Sequence, residues 1–512
     1  MKMLPSRRRF IHKSLLSLPA VGSLCGCGGG GGGTPAAPVA EVPGGSSPTD
    51  LNPVPVVAGI DLSAGLQNYG LKRMPYSKLA KPAKGQTVLD PDFGTRITRI
   101  TDCVSDFKNL CAAPAYPTAM AWNSDETRFI LYVPGSTMQS GGQQGWAMYN
   151  GTTYAFIKFI DINPGDVEQF YWDHQDPATL YYIDNHSVGS TMHADLTAIN
   201  VETGVKTVEY SFLDNLPAGW PRTGPVRCGY PFALGINAKG ERIWGLGAGG
   251  IPNINGQLAL NVFGFNQTTK QMVFYDTQYV AQGQARGTTP FPLLSGQGWV
   301  APDPASQNSQ TGRVFILDIN GKYVRTVNFD AYEHCDTAMN AAGHDMLVGS
   351  QFNRPTGGNG NVIVADLNTG AIQNLVGESS SPAFGYPTTG SLTGSTAWQN
   401  PMWIATGMTG DIYGTDNSGP TANPTTLLDQ EIMLTSLTSG LTYRFAHHRS
   451  TGNYSNAPQS NYWAQTNVTL STSGTRVLFQ SDWGNGDPSN PVLNPDAAVD
   501  TYVIELPSYK RA

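Results

Sequence analysis

From about residue 95 onward, one phrase recurs along the chain, and it limits the folds available. A short strand is followed by a tight Gly, Asn or Asp turn and a second, alternating strand. A variable loop leads to a third strand, a turn of the NxxTG kind and a fourth strand. VEQFYWDHQDPATLYYIDN with DLTAINVETGVKTVEYSF shows the phrase at 167–212, and FALGINAKGERIWGLG with LALNVFGFNQTTKQMVFYD repeats it at 232–276. It returns at 337–377 and, with three strands only, at 468–507. Period-two alternation, closely spaced turns and a repeat of about 50–70 residues predict an all-β, seven-bladed β-propeller. The last phrase lacks a strand, while Gly94 to Asp102 is an orphan strand at the front. The N-terminal strand should therefore complete the last blade and close the ring, which removes exposed sheet edges. Charged residues are only 13% while Gly and Pro number 59 and 36, a balance that favours short strands and turns over helices.

The first part of the chain reads differently. Ser6 to Lys13, SRRRFIHK, is similar to a twin-arginine export signal, with an apolar run from Leu15 to Leu24 too short to span a bilayer. Leu24-Cys25-Gly26-Cys27 is similar to a lipobox, with Cys27 as the lipidated residue. The expected organisation is an export signal at 1–27, a Gly/Pro/Ser-rich tether and lead-in at 28–86, and the propeller at 87–512. The protein is then exported to the periplasm or cell surface as a monomer, touching membrane only through its lipid. Disulfides can form there, and Cys103 with Cys111 is the expected local bridge; the pairing of Cys228 and Cys335 stays open. A net charge of −7 argues against a nucleic-acid partner but leaves room for a local cationic site.

Blade topology sorts residues by face. With strands a to d running outward, a–b and c–d turns share one face, and b–c and d–a loops share the other. The second face carries the long loops and is where binding residues gather. His174 and His344 fall on the short-turn face. His186 and His193 bracket a b–c loop, His334 lies on a d–a loop, and His447 and His448 open another. Arg227 and Tyr230, Arg449, Tyr462 and Trp463, Gln465 and Trp483 join them on the loop face.

This set is rich in His, Arg and Tyr and shows neither a facing carboxylate pair nor a GxSxG turn, which disfavours glycosidase and serine-hydrolase chemistry. β-Elimination from a uronate-containing polysaccharide needs a cation to offset the carboxylate, a base and an acid. His186, His193, Arg227, Tyr230 and His448 are the candidates for those roles. His334, His447, Arg449, Tyr462, Trp463, Gln465 and Trp483 are the candidates for substrate binding, with aromatic rings stacking on sugar faces.

TRITRITD at Thr95 to Asp102 and HHRS…YWAQTNVTLSTSGTRVLFQSD near the end resemble the polysaccharide-lyase propellers, oligogalacturonate lyases and ulvan lyases, and share their turns with TolB-like propellers. The resemblance implies a lyase acting on an anionic polysaccharide. Oligogalacturonate lyases bind one divalent metal through Gln-x-x-His-x-His ahead of a Ser-Pro-Asp-Gly turn. Here Ser471 to Gly474 matches the turn, and the motif positions fall on Tyr462, Gln465 and Asn467, without the two histidines. A divalent metal is thus implied as cofactor with its ligands unassigned. Ulvan lyases imply two histidines, a Tyr and an Arg. His174 with His193, Tyr230 and Arg242 match that spacing, while face sorting favours His186 and Arg227. The alternatives are a non-catalytic propeller that binds glycan or scaffolds envelope proteins and, more remotely, a periplasmic oxidoreductase.

Overall fold

The computed structural model describes residues 51–56, 59–228, 234–252, 258–276, 284–285, 289–303, 312–329, 335–350, 361–377, 380, 384, 391–394, 397–408, 427–450, 463–484 and 498–510. Seven antiparallel sheets follow one another along the chain. Blade 1 holds strands Arg128–Val133, Gly145–Asn150 and Phe156–Ile160, its inner edge supplied by bridges from Ala113 and Trp122. Blade 2 holds Phe170–Trp172, Thr179–Val188, Thr191–Asn200 and Lys206–Ser211. Blades 3 to 6 repeat the order, and blade 6 ends on its outermost strand, Thr442–His447.

The ring closes as expected. Arg96–Arg99 pairs antiparallel with Asp500–Glu505 and becomes the fourth strand of blade 7. Thr87–Leu89 adds a fifth strand outside it, which the repeat gives no reason to expect. Buried tryptophans stitch neighbouring blades: Trp172 donates to the Ala121 carbonyl at 3.0 Å, and Trp299 to that of Trp244 at 3.2 Å. Ion pairs do the same on the short-turn face, where Arg242 meets Asp173 and Arg476 meets Glu126. Asp345, buried and bonded to Ser295 of blade 4, has its carboxyl raised by burial to about 6.

The lead-in from Leu51 onward is docked on the blades. Asn52 exchanges hydrogen bonds with Gln297 of blade 4, and Val54 donates to Gly343 of blade 5 at 2.9 Å. Asn400 of blade 6 donates to Ile60, and Leu62 is fully buried with the core of blades 6 and 7. Two turn glycines make room for this strap. Gly343 (φ 81°) and Gly474 (φ 79°) adopt left-handed backbone, and a Cβ on either would lie 2.0 Å from Val54 or 2.5 Å from Leu62. Past residue 69 the strap leaves the short turns for the outer seam between blades 6 and 7.

The expected Cys103–Cys111 disulfide is corrected here: neither of these two buried cysteines is in a disulfide, and Cys103 Sγ is turned to the Val499 carbonyl at 3.5 Å. Burial raises the Cys103 thiol well above its ordinary value. No helix among the described residues is long and apolar enough to cross a membrane.

Candidate functional site

The structure separates the expected constellation into two places. The first is the seam where the strap covers the end of blade 6. His447 ends the outermost strand of that blade, and its side chain is 2% exposed. Its ring packs edge-on to Tyr76 at 4.8 Å and against Phe93 at 4.9 Å, and its Nδ1 lies 3.4 Å from Asp92. Asp90 accepts the His447 backbone N–H at 3.1 Å. Arg449 stands 3.6 Å from Asp90 and 3.8 Å from Asp92, donates to the Ser77 carbonyl at 2.8 Å, and lies over the Tyr76 and Trp483 rings.

His448 is enclosed more tightly. It is fully buried, its Nδ1 accepts the Ser450 N–H at 3.0 Å, and its Nε2 sits 2.8 Å from the Met408 carbonyl. Those partners require the neutral ring with the proton on Nε2. Burial depresses its pKa to about 3. His448 thus has no ring nitrogen to offer a substrate, and the catalytic role expected for it is corrected to a structural one. The substrate-binding role expected for His447, Arg449 and Trp483 meets the same obstacle. Trp483 is fully buried, stacked on Tyr502 at 4.6 Å and bonded to the Leu79 carbonyl. Gln430, Arg449 and Trp483 all hold left-handed backbone, at φ 59°, 58° and 57°, a conformation that persists only where surroundings fix it.

Asp90, Asp92 and His447 bring three ligand atoms within 4.8 Å of one another, a group that could hold a metal ion. The lone pairs of the two carboxylates are largely committed, while His447 Nδ1 is buried without a hydrogen bond. Asp90 accepts the N–H groups of Asp92 and Phe93 at 2.9 and 3.2 Å, and Asp92 accepts the Ser77 N–H and hydroxyl at 2.9 and 2.5 Å. Burial alone would raise the Asp92 carboxyl, but His447 and the bonds from Ser77 outweigh it and lower its pKa. With the Arg449 guanidinium already supplying positive charge, this donor set fits a cation poorly.

The metal position implied near the end of the chain does not fit either. The Asn467 side chain donates to the Pro114 carbonyl and its backbone N–H to Gln480, while the Gln465 carbonyl accepts from Gln480. Trp463 is 7% exposed and packs beside Tyr132 within the core around blades 1 and 2, so it is packing rather than a sugar platform.

The second place is the tip of the blade 2 hairpin on the loop face. His186 and His193 are direct cross-strand partners, and their rings stack at 5.2 Å with planes 15° apart. Both are half-exposed. Adjacent Asn185 points the opposite way and clamps Val226 of blade 3, accepting its N–H and donating to its carbonyl, both at 2.9 Å. The strand Val226–Cys228, which carries Arg227, therefore lies against the hairpin, on the side opposite the imidazole pair.

Tyr230, His334, Tyr462 and Cys27 lie outside the described residues. His174 stacks on Trp398 at 4.5 Å, and burial lowers it to about 4, while Arg242 is held by Asp173; both are short-turn fixtures. His344, on the same face, bonds Asp366 at 2.7 Å.

No protein-family model matches the chain, and no curated protein matches it in sequence. Solved structures do match in fold. An oligogalacturonate lyase from Vibrio parahaemolyticus is 10% identical, with 85% of this chain and 100% of that chain covered and a TM-score of 0.50. An oligogalacturonate lyase in complex with manganese is 12% identical, covering 85% of this chain and 99% of that chain with a TM-score of 0.48. TolB from Acinetobacter baumannii is 12% identical over 69% of this chain and 63% of that chain, with a TM-score of 0.31. At such identities the likeness is one of architecture, a seven-bladed propeller.

Proposed function

We propose that the protein is a glycan-acting propeller that cleaves a uronate-containing polysaccharide by β-elimination at the loop face over blades 2 and 3. The observation that carries this reading is the His186–His193 pair: two half-exposed imidazoles in ring contact on the face where the long loops gather. One ring would take the proton beside the carboxylate and the other would protonate the leaving oxygen. Tyr230, two residues past Val226–Cys228 in sequence, is proposed to bind the substrate carboxylate, while Arg227, on the side of the hairpin opposite the imidazoles, is given no direct part at that pair. His334 and Tyr462 are proposed to line the approach.

A second reading, glycan binding without cleavage, is favoured by the enclosure of His448, which takes one acid–base candidate away from the site. We further propose export by the twin-arginine route and attachment to the envelope through lipid on Cys27, on the strength of SRRRFIHK and the Leu24–Cys27 motif. The test is incubation with a panel of uronate polysaccharides. Unsaturated-product absorbance that disappears in His193→Ala supports cleavage; binding without product supports the second reading; neither would refute both.

A further inference from the structure

The two histidines of the blade 2 hairpin differ in what stands behind them. The rung next to His186–His193, away from the tip, pairs Asp184 with Asp195. Side chains two apart on a strand share a face, so Asp184 lies on the same side of the ribbon as the imidazoles. His186 Nδ1 is buried and makes no hydrogen bond, and Asp184 Oδ2 stands 3.8 Å from it. Asp184 is itself held in place. Asn163, on the loop from blade 1 to blade 2, donates its amide to Oδ1 at 3.2 Å, and Pro164 bridges the Asp184 backbone. That leaves Oδ2 for the ring. No described carboxylate comes as close to His193. A buried Nδ1 facing a carboxylate carries the proton, because two acceptors set against each other repel. The neutral His186 ring then keeps its lone pair on Nε2, at the opposite edge of a half-exposed side chain.

We propose that Asp184 is the positioning residue of His186: it holds the Nδ1 proton, fixes the ring and presents the Nε2 lone pair on the loop face. Control of the tautomer matters only to a neutral ring, so it makes His186 the base and His193 the acid. That assignment of roles rests on the lyase reading, whereas the tautomer does not. In the step, the proton beside the substrate carboxylate passes to His186 Nε2, and its C–H electron pair becomes the new double bond. The C–O pair leaves with the oxygen, which takes a proton from the His193 imidazolium. Asp184 offsets the charge that forms on His186 without taking the proton itself. Contacts of this kind are often long before substrate binds and tighten in the complex, which is the course expected of the 3.8 Å separation.

The test is two-bond ¹H–¹⁵N correlation of the ¹⁵N-histidine-labelled full chain at about pH 8.5, above the ordinary imidazole range and with no polysaccharide present. His186 is identified by the signal lost in His186→Gln. The wild-type ring should be protonated on Nδ1, and Asp184→Asn should move the proton to Nε2, because the amide can donate to Nδ1. In turnover, Asp184→Asn should lower kcat about 10²-fold or more with KM little changed, and Asp184→Glu should restore part of it. Should Asp184→Asn fold poorly, Asn163→Ala loosens the carboxylate from outside the hairpin and should give a mixture of the two tautomers. A wild-type His186 protonated on Nε2, or a tautomer unchanged in folded Asp184→Asn, overturns the proposal. So does a cleaving chain whose kcat is unmoved by Asp184→Asn. The expected tautomer shift in a chain that cleaves no polysaccharide upholds the Asp184–His186 pairing and sinks only the lyase reading.

Discussion

Two histidine pairs occupy opposite environments in this propeller. His447 and His448 are consecutive in sequence, end an outermost strand and are sealed beneath the strap. His186 and His193 are seven residues apart, meet across a hairpin and remain half-exposed. Topology assigns both pairs to the loop face. What separates them is radial position and covering. An outermost strand end can be overlaid by chain from elsewhere, whereas the tip of a b–c hairpin projects beyond the blade. Histidine clustering in sequence is therefore weak guidance to a site unless the chain that packs over it is known.

The contrast can be broken most severely by removing the strap. A chain starting at residue 82 loses Leu62 and Met74 from the core and leaves Arg444 and Arg449 short of partners. We expect a loss of at least about 5 kcal/mol, since deleting one buried Leu or Met side chain costs about 2–5 kcal/mol. Soluble yield and a circular-dichroism melt read this. A truncated chain melting like the full one would show that the seam needs no cover. Arg449→Ala should cost about 3–5 kcal/mol in urea unfolding, because it leaves Asp90 and Asp92 as uncompensated buried carboxylates.

A smaller effect comes with pH. The His448 pKa is depressed in the folded state to about 3, so the unfolded chain binds its proton first. Its contribution is full above the unfolded value and is lost as pH falls below it toward the folded value. Between pH 7 and pH 5 this residue alone should remove about 2 kcal/mol of stability. His174 acts in the same direction. Asp92, also depressed, adds its loss only at lower pH, below the ordinary carboxylate range. Urea midpoints at the two pH values measure the slope, which should flatten in His448→Asn. The smallest stability change belongs to the exposed pair, where His186→Ala should move unfolding by less than about 0.5 kcal/mol.

The fold was legible because blade formation depends on local signals. Alternation, NxxTG turns and a missing last strand are written within each repeat, and the Arg96–Arg99 closure follows from counting. The seam was not legible for a physical reason: Asp90 and Asp92 meet His447 across more than 350 residues, through a strap whose Gly, Pro and polar composition reads as linker. Gly343 and Gly474 were the available hints, as turn glycines that the strap crosses, yet a turn glycine is ordinary by itself. The hairpin pair was half legible. His186 and His193 were placed on one loop, but their direct register and the flanking Asp184–Asp195 rung follow only from a hairpin extended to residue 188.

The central claim is that of two pairs both expected at the functional face, the hairpin pair serves function and the seam pair serves stability, and a crossed comparison of two variants tests it directly. Turnover of a uronate polysaccharide and thermal unfolding are measured for His193→Ala and His448→Ala. His193→Ala should lose about 10²–10⁴-fold in rate with its melting temperature almost unchanged. His448→Ala should unfold several degrees lower, having stranded the Ser450 N–H and the Met408 carbonyl, while retaining turnover at temperatures where it is folded. The opposite pattern, with His193→Ala unfolding early and His448→Ala folded but inactive, would contradict the account.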